Sequence, residues 1–272
     1  MRIGGHFWTE TGLLGSFDSA ETFDVNCFQM FIGKGYQPYD VGLHQRVAFR
    51  NRKDVKGYLI AAHGPYMPNV CCPSEPQRVT SSIACIVDYI RAADKLGIEF
   101  MVFHPGSHKQ STMEDGIECL YESTLEILDL TQDCRTKLLW ENVAGGGTQV
   151  GHVENVAYVV NAVNDRSKLG MCIDTVHSYA DGHPLDQGEY RQEFWDKYRG
   201  LTDWVHFNNP DSRVRLGSHL DRHRQNWLDA KWPVDVMLAI AREWGETTPL
   251  CMEADPSSYE VNFMILDEAG LI

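Results

Sequence analysis

The feature that most constrains this chain is a rhythm. Eight short apolar runs, at residues 2–5, 27–31, 58–62, 100–103, 137–140, 169–173, 204–207 and 249–252, alternate with longer amphipathic stretches. Val79, Ile83, Ile86, Ile90 and Ala93 recur at helical spacing within 75–96, and Ile117, Leu120, Leu125 and Leu128 within 114–133. Further helices are expected over 152–164, 186–198 and 234–244, with Gly97 and Gly245 as helix stops before the next strand. Repeated strand–helix units imply a parallel sheet, and eight of them imply closure into a barrel. A doubly wound open sheet would want a glycine-rich phosphate fingerprint after an early strand. No GxGxxG or Walker pattern occurs, and the Gly145-Gly146-Gly147 run follows Glu141 rather than opening such a motif. The fold class expected is α/β, a (β/α)₈ TIM barrel forming one domain over residues 1–272, without linker, repeat or low-complexity segment.

Charge narrows the partners. The chain carries 38 acidic against 24 basic residues, a net charge of -14, which argues against broad adhesion to nucleic acid through phosphate neutralisation. A local basic patch or a metal cluster can still supply positive charge. The eight cysteines form no Cys-x-x-Cys pair and read as free thiols in a reducing compartment. The start of the chain lacks the apolar run of a signal peptide, and no apolar stretch is long enough to span a membrane. A cytoplasmic location is the expectation.

The strand ends carry the chemistry. His63 follows the third run, His104 the fourth, Glu141 the fifth and Asp174 the sixth, with His177 three residues on; His206 lies near the end of the seventh and Glu253 follows the eighth. In a barrel of this kind the C-terminal strand ends converge on one mouth. The loop after the seventh strand adds Asp221 and His223, two apart, so an extended backbone points both the same way. Asp174 and His177 share a face if a helical turn follows the strand. A lone histidine or carboxylate at a strand end is ordinarily a hydrogen-bonded residue, a cap or an ion pair. Six consecutive strands ending in ligand-type residues are not readily accidental, and burying them without metal would be costly. Five histidines and four carboxylates suit Zn²⁺, with Mn²⁺ or Fe²⁺ admissible, and are too many for one ion. Two or three clustered divalent ions point to phosphoester hydrolysis.

The motifs resemble those of the endonuclease IV family of apurinic/apyrimidinic (AP) endonucleases. The resemblance runs from Gly4 to about Glu253. It rests on His63-Gly64-Pro65-Tyr66-Met67-Pro68-Asn69, His104-Pro105-Gly106-Ser107-His108, Glu141-Asn142-Val143-Ala144-Gly145-Gly146-Gly147-Thr148, the segment Cys172 to Gly182, and Gly217-Ser218-His219-Leu220-Asp221-Arg222-His223. It implies three zinc ions per chain, with Mn²⁺ admissible at one position. His63, His104 and Glu141 would hold the first, Glu141, Asp174, His206 and Glu253 the second, and His177, Asp221 and His223 the third. It further implies hydrolysis of the phosphodiester 5′ to an abasic site in double-stranded DNA by a metal-activated hydroxide. Glu141 and Glu253 are then the catalytic carboxylates, and the lesion is extruded from the stack. Tyr66, Lys34 and Arg222 are the expected DNA contacts, and the segment 29–39 corresponds to a lesion-probing loop. A monomer without an obligate protein partner is expected.

Departures from the family pattern lie on the DNA side. The small-residue stretch after the first strand is Phe7-Trp8-Thr9-Glu10-Thr11-Gly12, and the probing loop reads Gly33-Lys34-Gly35-Tyr36-Gln37-Pro38. Gly146 stands where the family has Gln, and Ala254-Asp255 follows Glu253 in place of Thr-Pro. Arg213, Arg215 and Arg224 are further candidate phosphate contacts, and Trp8, Tyr36 and Trp227 candidate wedges. A single-metal sugar isomerase or epimerase of the same barrel superfamily is the alternative; His177, Asp221 and His223 would be superfluous to it.

Overall fold

The computed structural model describes residues 1–7, 12–223 and 226–272. Its strands are β1 (Ile3–His6), β2 (Cys27–Phe31), β3 (Gly33–Lys34), β4 (Gln37–Pro38), β5 (Leu59–His63), β6 (Phe100–Phe103), β7 (Lys137–Glu141), β8 (Leu169–Asp174), β9 (Thr202–His206) and β10 (Leu250–Met252). All but β3 and β4 close into one parallel barrel in the order β1-β10-β9-β8-β7-β6-β5-β2. The open-sheet alternative is thereby excluded. Helices α1 (Gly15–Thr22), α2 (Leu43–Lys56), α3 (Pro76–Leu96), α4 (Met113–Leu130), α5 (Val153–Val163), α6 (Thr175–Ala180), α7 (Gly188–Tyr198), α8 (Val234–Trp244) and α9 (Pro256–Glu268) connect the strands. None is long and apolar enough to cross a membrane.

The core has two layers. Between sheet and helices lies the larger one, which includes Phe17, Phe28, Trp140 and Trp244. Inside the barrel, Cys27, Ala61, Val102, Leu139, Cys172, Trp204 and Cys251 form a smaller plug. Successive side chains on a strand point to opposite faces, so the residue two places beyond each plug residue also faces the axis. Those residues are Gln29, His63, His104, Glu141, Asp174, His206 and Glu253. The barrel's own alternation therefore lifts one ring of polar side chains above the apolar plug.

Gly97 ends α3 with φ 74°, in the left-handed region expected of a glycine stop. Gly245 also ends its helix, but in right-handed conformation; a Cβ there would lie 2.5 Å from the Ala241 carbonyl oxygen and 2.7 Å from the Met1 sulfur. Close packing, not a left-handed turn, explains that glycine. The segment read as a probing loop is more ordered than its sequence suggests. After β2 it forms the antiparallel hairpin β3–β4, whose Gly35 and Gln37 carbonyls accept from the Tyr89 hydroxyl of α3 at 3.1 Å each. All eight cysteines are free thiols.

Candidate metal centre

Glu141 is the hub of the mouth. Its side chain is 1% exposed and has four imidazoles against it: His63 Nε2 and His104 Nε2 each 3.0 Å from Oε2, and His206 Nδ1 at 2.9 Å and His177 Nδ1 at 3.2 Å from Oε1. A second group, Glu141, Asp174, His206 and Glu253, brings one ligand atom from each within 4.8 Å of the others. On the far side His177 Nε2 lies 3.3 Å from Asp221 Oδ2, and His223 Nε2 lies 3.1 Å from Asp221 Oδ1. All nine residues singled out in the sequence thus meet around one opening.

Neighbouring elements hold these side chains in place. Asp174 caps α6 by accepting from the His177 backbone N–H at 2.7 Å, which supplies the helical turn needed for the pair to share a face. Asn142 Oδ1 accepts from the Asp174 N–H at 2.7 Å, and the Asn142 side-chain amide donates to Ser178 Oγ at 3.1 Å. Asn69 couples two loops: its Oδ1 accepts from the N–H groups of Cys71 and Ser107, and its amide donates to the Ser107 carbonyl. Gly106, at φ 113°, turns the chain between His104 and Ser107 where a Cβ would strike Asn69 Oδ1 at 2.3 Å. Gly146, at φ 84°, lies where a Cβ would be 2.7 Å from the His219 ring, so both its backbone conformation and its surroundings favour glycine. Asp255 accepts from the Ser257 N–H and caps α9, with Pro256 in its first turn.

Three polar residues at the mouth were not anticipated. His6 ends β1, and its Nδ1 lies 3.5 Å from Glu253 Oε1. Gln29, fully buried on β2, lies between His206 and Glu253. Asn208 donates to Asp174 Oδ2 at 2.7 Å and accepts from the Glu253 N–H at 2.8 Å. The two-residue alternation in β1 and β2 is the signal that marks the first two.

The electrostatics favour a cation. Burial pushes the Glu141 carboxyl up, but His206, His104 and His177 outweigh it and hold the group well below the usual carboxylate range. Burial pushes the His206 imidazole down, but the Glu141 and Glu253 carboxylates hold it well above its ordinary value. His177 is raised in the same way, against burial, by Asp174, Asp221 and Glu141. A field that draws protons to these rings would equally draw a divalent ion. The rings are also oriented for coordination. His63 Nδ1 lies 2.6 Å from the Gly64 carbonyl oxygen and His177 Nδ1 lies 2.8 Å from that of Asn142; each must donate there, which turns Nε2 toward a carboxylate. A metal-ligating histidine commonly commits its other ring nitrogen to such an acceptor. His223 Nδ1 is buried without a hydrogen-bond partner among the described residues. The donor set, oxygen and imidazole nitrogen only, suits zinc.

A cavity of about 510 Å³ opens over Glu253, His223 and Asp221, lined also by His6, Phe31, Tyr66, Arg213 and Arg222. Tyr66 is 61% exposed and its ring stands 5.5 Å from that of His63 and 5.1 Å from that of His104. Arg222 faces the cavity as expected. Arg213 does too, but it is paired with Asp211 at 2.7 Å. Arg215 is exposed and does not line this cavity. Lys34 is exposed on the β3–β4 hairpin, which touches the Tyr66 loop through the Tyr36 hydroxyl and the Met67 carbonyl at 3.4 Å. Tyr36 is 37% exposed, whereas Trp227 is buried against Phe207 and cannot act as a wedge. Trp8 and Arg224 lie outside the described residues.

A closed parallel barrel with this ring at its mouth places the chain in a known class: residues 17–253 match the family described as xylose isomerase-like TIM barrel. A protein of Protochlamydia amoebophila named "Probable endonuclease 4" is 32% identical over 235 residues, 82% of this chain and 81% of that protein. The crystal structure of endonuclease IV from Thermus thermophilus is 26% identical with a TM-score of 0.83, covering 98% of this chain and 100% of that one. The chain belongs to the endonuclease IV family. A D-tagatose 3-epimerase-like protein, 17% identical with a TM-score of 0.73 over 99% of this chain and 98% of that one, shares the fold alone.

Proposed function

We propose that the chain is a zinc-dependent AP endonuclease, a DNA-repair phosphodiesterase. It hydrolyses the bond 5′ to an abasic site in double-stranded DNA and leaves a 3′-hydroxyl and a 5′-deoxyribose phosphate. The observation that carries the reading is the convergence of five imidazoles and four carboxylates around Glu141, on a chain of the endonuclease IV family.

Three zinc ions fit the donor set: His63, His104 and Glu141 for one; Glu141, Asp174, His206 and Glu253 for the next; His177, Asp221 and His223 for the third, with Mn²⁺ admissible at one position. Such ions supply Lewis-acid charge for the phosphoryl oxygens and make water a nucleophile near neutral pH. Burial separates the two catalytic carboxylates. Glu141, covered by four rings, would help to hold the ions; Glu253, 14% exposed and facing the cavity, would be the carboxylate placed to accept a proton from water. Tyr66 offers a ring to the sugar of an extruded abasic residue, and Lys34 and Arg222 grip flanking phosphates. The cavity suits one nucleotide lifted from the stack rather than a paired base.

Elemental analysis of the purified chain tests this reading. Two or three zinc ions per chain, with chelator-sensitive cutting of abasic DNA, are expected. About one ion per chain, with turnover of a free ketose and no cutting, would overturn it in favour of a sugar epimerase.

A further inference from the structure

The second set of candidate ligands is tied together by a group outside it. Gln29 is fully buried, and its side chain reaches three neighbours. Its amide nitrogen donates to Glu253 Oε1 at 2.9 Å and lies 3.0 Å from His6 Nδ1; its carbonyl oxygen lies 2.9 Å from His206 Nε2. Glu253 has only acceptors when ionised, so it fixes which way the amide points: nitrogen toward Glu253, oxygen toward His206. An amide oxygen can only accept, so His206 must carry a proton on Nε2. His206 Nδ1 then faces Glu141 Oε1, 2.9 Å away, Glu253 Oε2, 3.4 Å away, and Asp174 Oδ2, 3.9 Å away, and its proton is the one a bound cation would displace. One amide thereby sets the tautomer of an imidazole and the rotamer of a carboxylate that face the same point.

We propose that Gln29 is the positioning residue of the second ion site: it commits His206 to coordination through Nδ1 and holds Glu253 in register, without touching the ion or the substrate. The inference rests on the metal centre proposed above. Gln29 in β2, His6 in β1, Glu253 immediately after β10 and His206 in β9 belong to four neighbouring positions around the barrel, so the relay also spans the seam where the chain's first and last strands meet. Outer partners of this kind typically change metal affinity by about ten- to a hundredfold.

The test measures metal retained by the full chain during dialysis against graded chelator, for the wild type, Gln29→Met and Gln29→Glu. Gln29→Met keeps the volume and loses all three polar contacts, to Glu253, His6 and His206. It is expected to release about one equivalent per chain at roughly ten- to a hundredfold lower chelator strength, the others leaving as in the wild type. Gln29→Glu keeps an acceptor for His206 and loses the donor to Glu253, and is expected to fall between the two. A merely structural role would instead lower the melting temperature and loosen all ions in parallel. That result, or wild-type retention in both variants, would overturn the proposal. Should Gln29→Met fail to fold, wild-type retention by the near-isosteric Gln29→Glu would overturn it alone. A wild type that keeps its metal and fails to cut abasic DNA would refute the proposed function and leave this inference standing; one that binds no metal would refute both.

Discussion

Among single residues, Glu141 matters most. A carboxylate under four imidazoles is stable as an anion only because positive charge surrounds it. Glu141→Gln keeps the shape and removes the charge; cutting is expected to fall by at least about a hundredfold with loss of bound zinc, read by elemental analysis and single-turnover kinetics. Unchanged turnover would contradict the proposed metal-holding role. Away from the mouth, the Asp181 carboxylate accepts from His152 Nδ1 at 2.7 Å and raises that imidazole, against a smaller opposing effect of burial. Because the folded pKa lies above the unfolded one, the stabilisation is complete below about pH 6.5, the ordinary histidine value, and fades as pH rises through the folded value. The melting-temperature gap between wild type and Asp181→Asn should therefore be widest in mild acid and shrink toward alkaline pH; a gap that widens with pH would contradict this. The nine ligand-type residues were legible because histidines and carboxylates are conspicuous at the ends of apolar runs. Gln29 and Asn208 were not, since an amide at a strand end looks like any polar residue until its partners are placed beside it.

At the scale of elements, alternation along each strand is what makes the site. The plug residue and the ligand two places on, as in Ala61 and His63 or Leu139 and Glu141, point the same way by the geometry of extended chain. The loops then need close approaches that only glycine permits. A Cβ on Gly64 would lie 2.1 Å from the Phe103 ring, so Gly64→Ala must displace the segment that carries His63 and Tyr66. A loss of about 1–3 kcal/mol in denaturant unfolding is expected, with cutting impaired as well; wild-type behaviour in both would contradict the packing. The β3–β4 hairpin carries Lys34 beside the Tyr66 loop. Lys34→Ala should weaken binding uniformly across DNA sequences and reduce the salt dependence of log K by about one unit, as expected for one lost phosphate contact; an unchanged slope would remove Lys34 from the interface. Strand positions were readable to within a residue or two from apolar runs. The helices α2 and α9 were harder. Mean apolarity is low along α2, where Phe49 alone is buried, and α9 announces itself only through the Asp255-Pro256 cap. Ordering of the hairpin depends on Tyr89, more than fifty residues away in sequence, which no local pattern reveals.

The whole molecule is an acidic barrel with one cation-seeking mouth. Closure was legible from the count of strand–helix units, because eight parallel strands satisfy every edge only as a barrel. The partner was less so: a net charge of -14 argues against loose DNA binding, while the mouth reverses the local balance if ions occupy it. Metal-loaded protein should resist unfolding more than chelator-stripped protein, by about 4 kcal/mol for each ion present at a thousandfold over its dissociation constant, as thermal melts would show. Equal melting temperatures would mean that the ring is stable without ions. The most direct test of the central claim is to incubate metal-replete protein with a duplex carrying one stable abasic analogue and map both ends of the cut. The account predicts a single incision 5′ to the lesion with a 3′-hydroxyl terminus; an intact duplex, or cutting indifferent to the lesion, would contradict it.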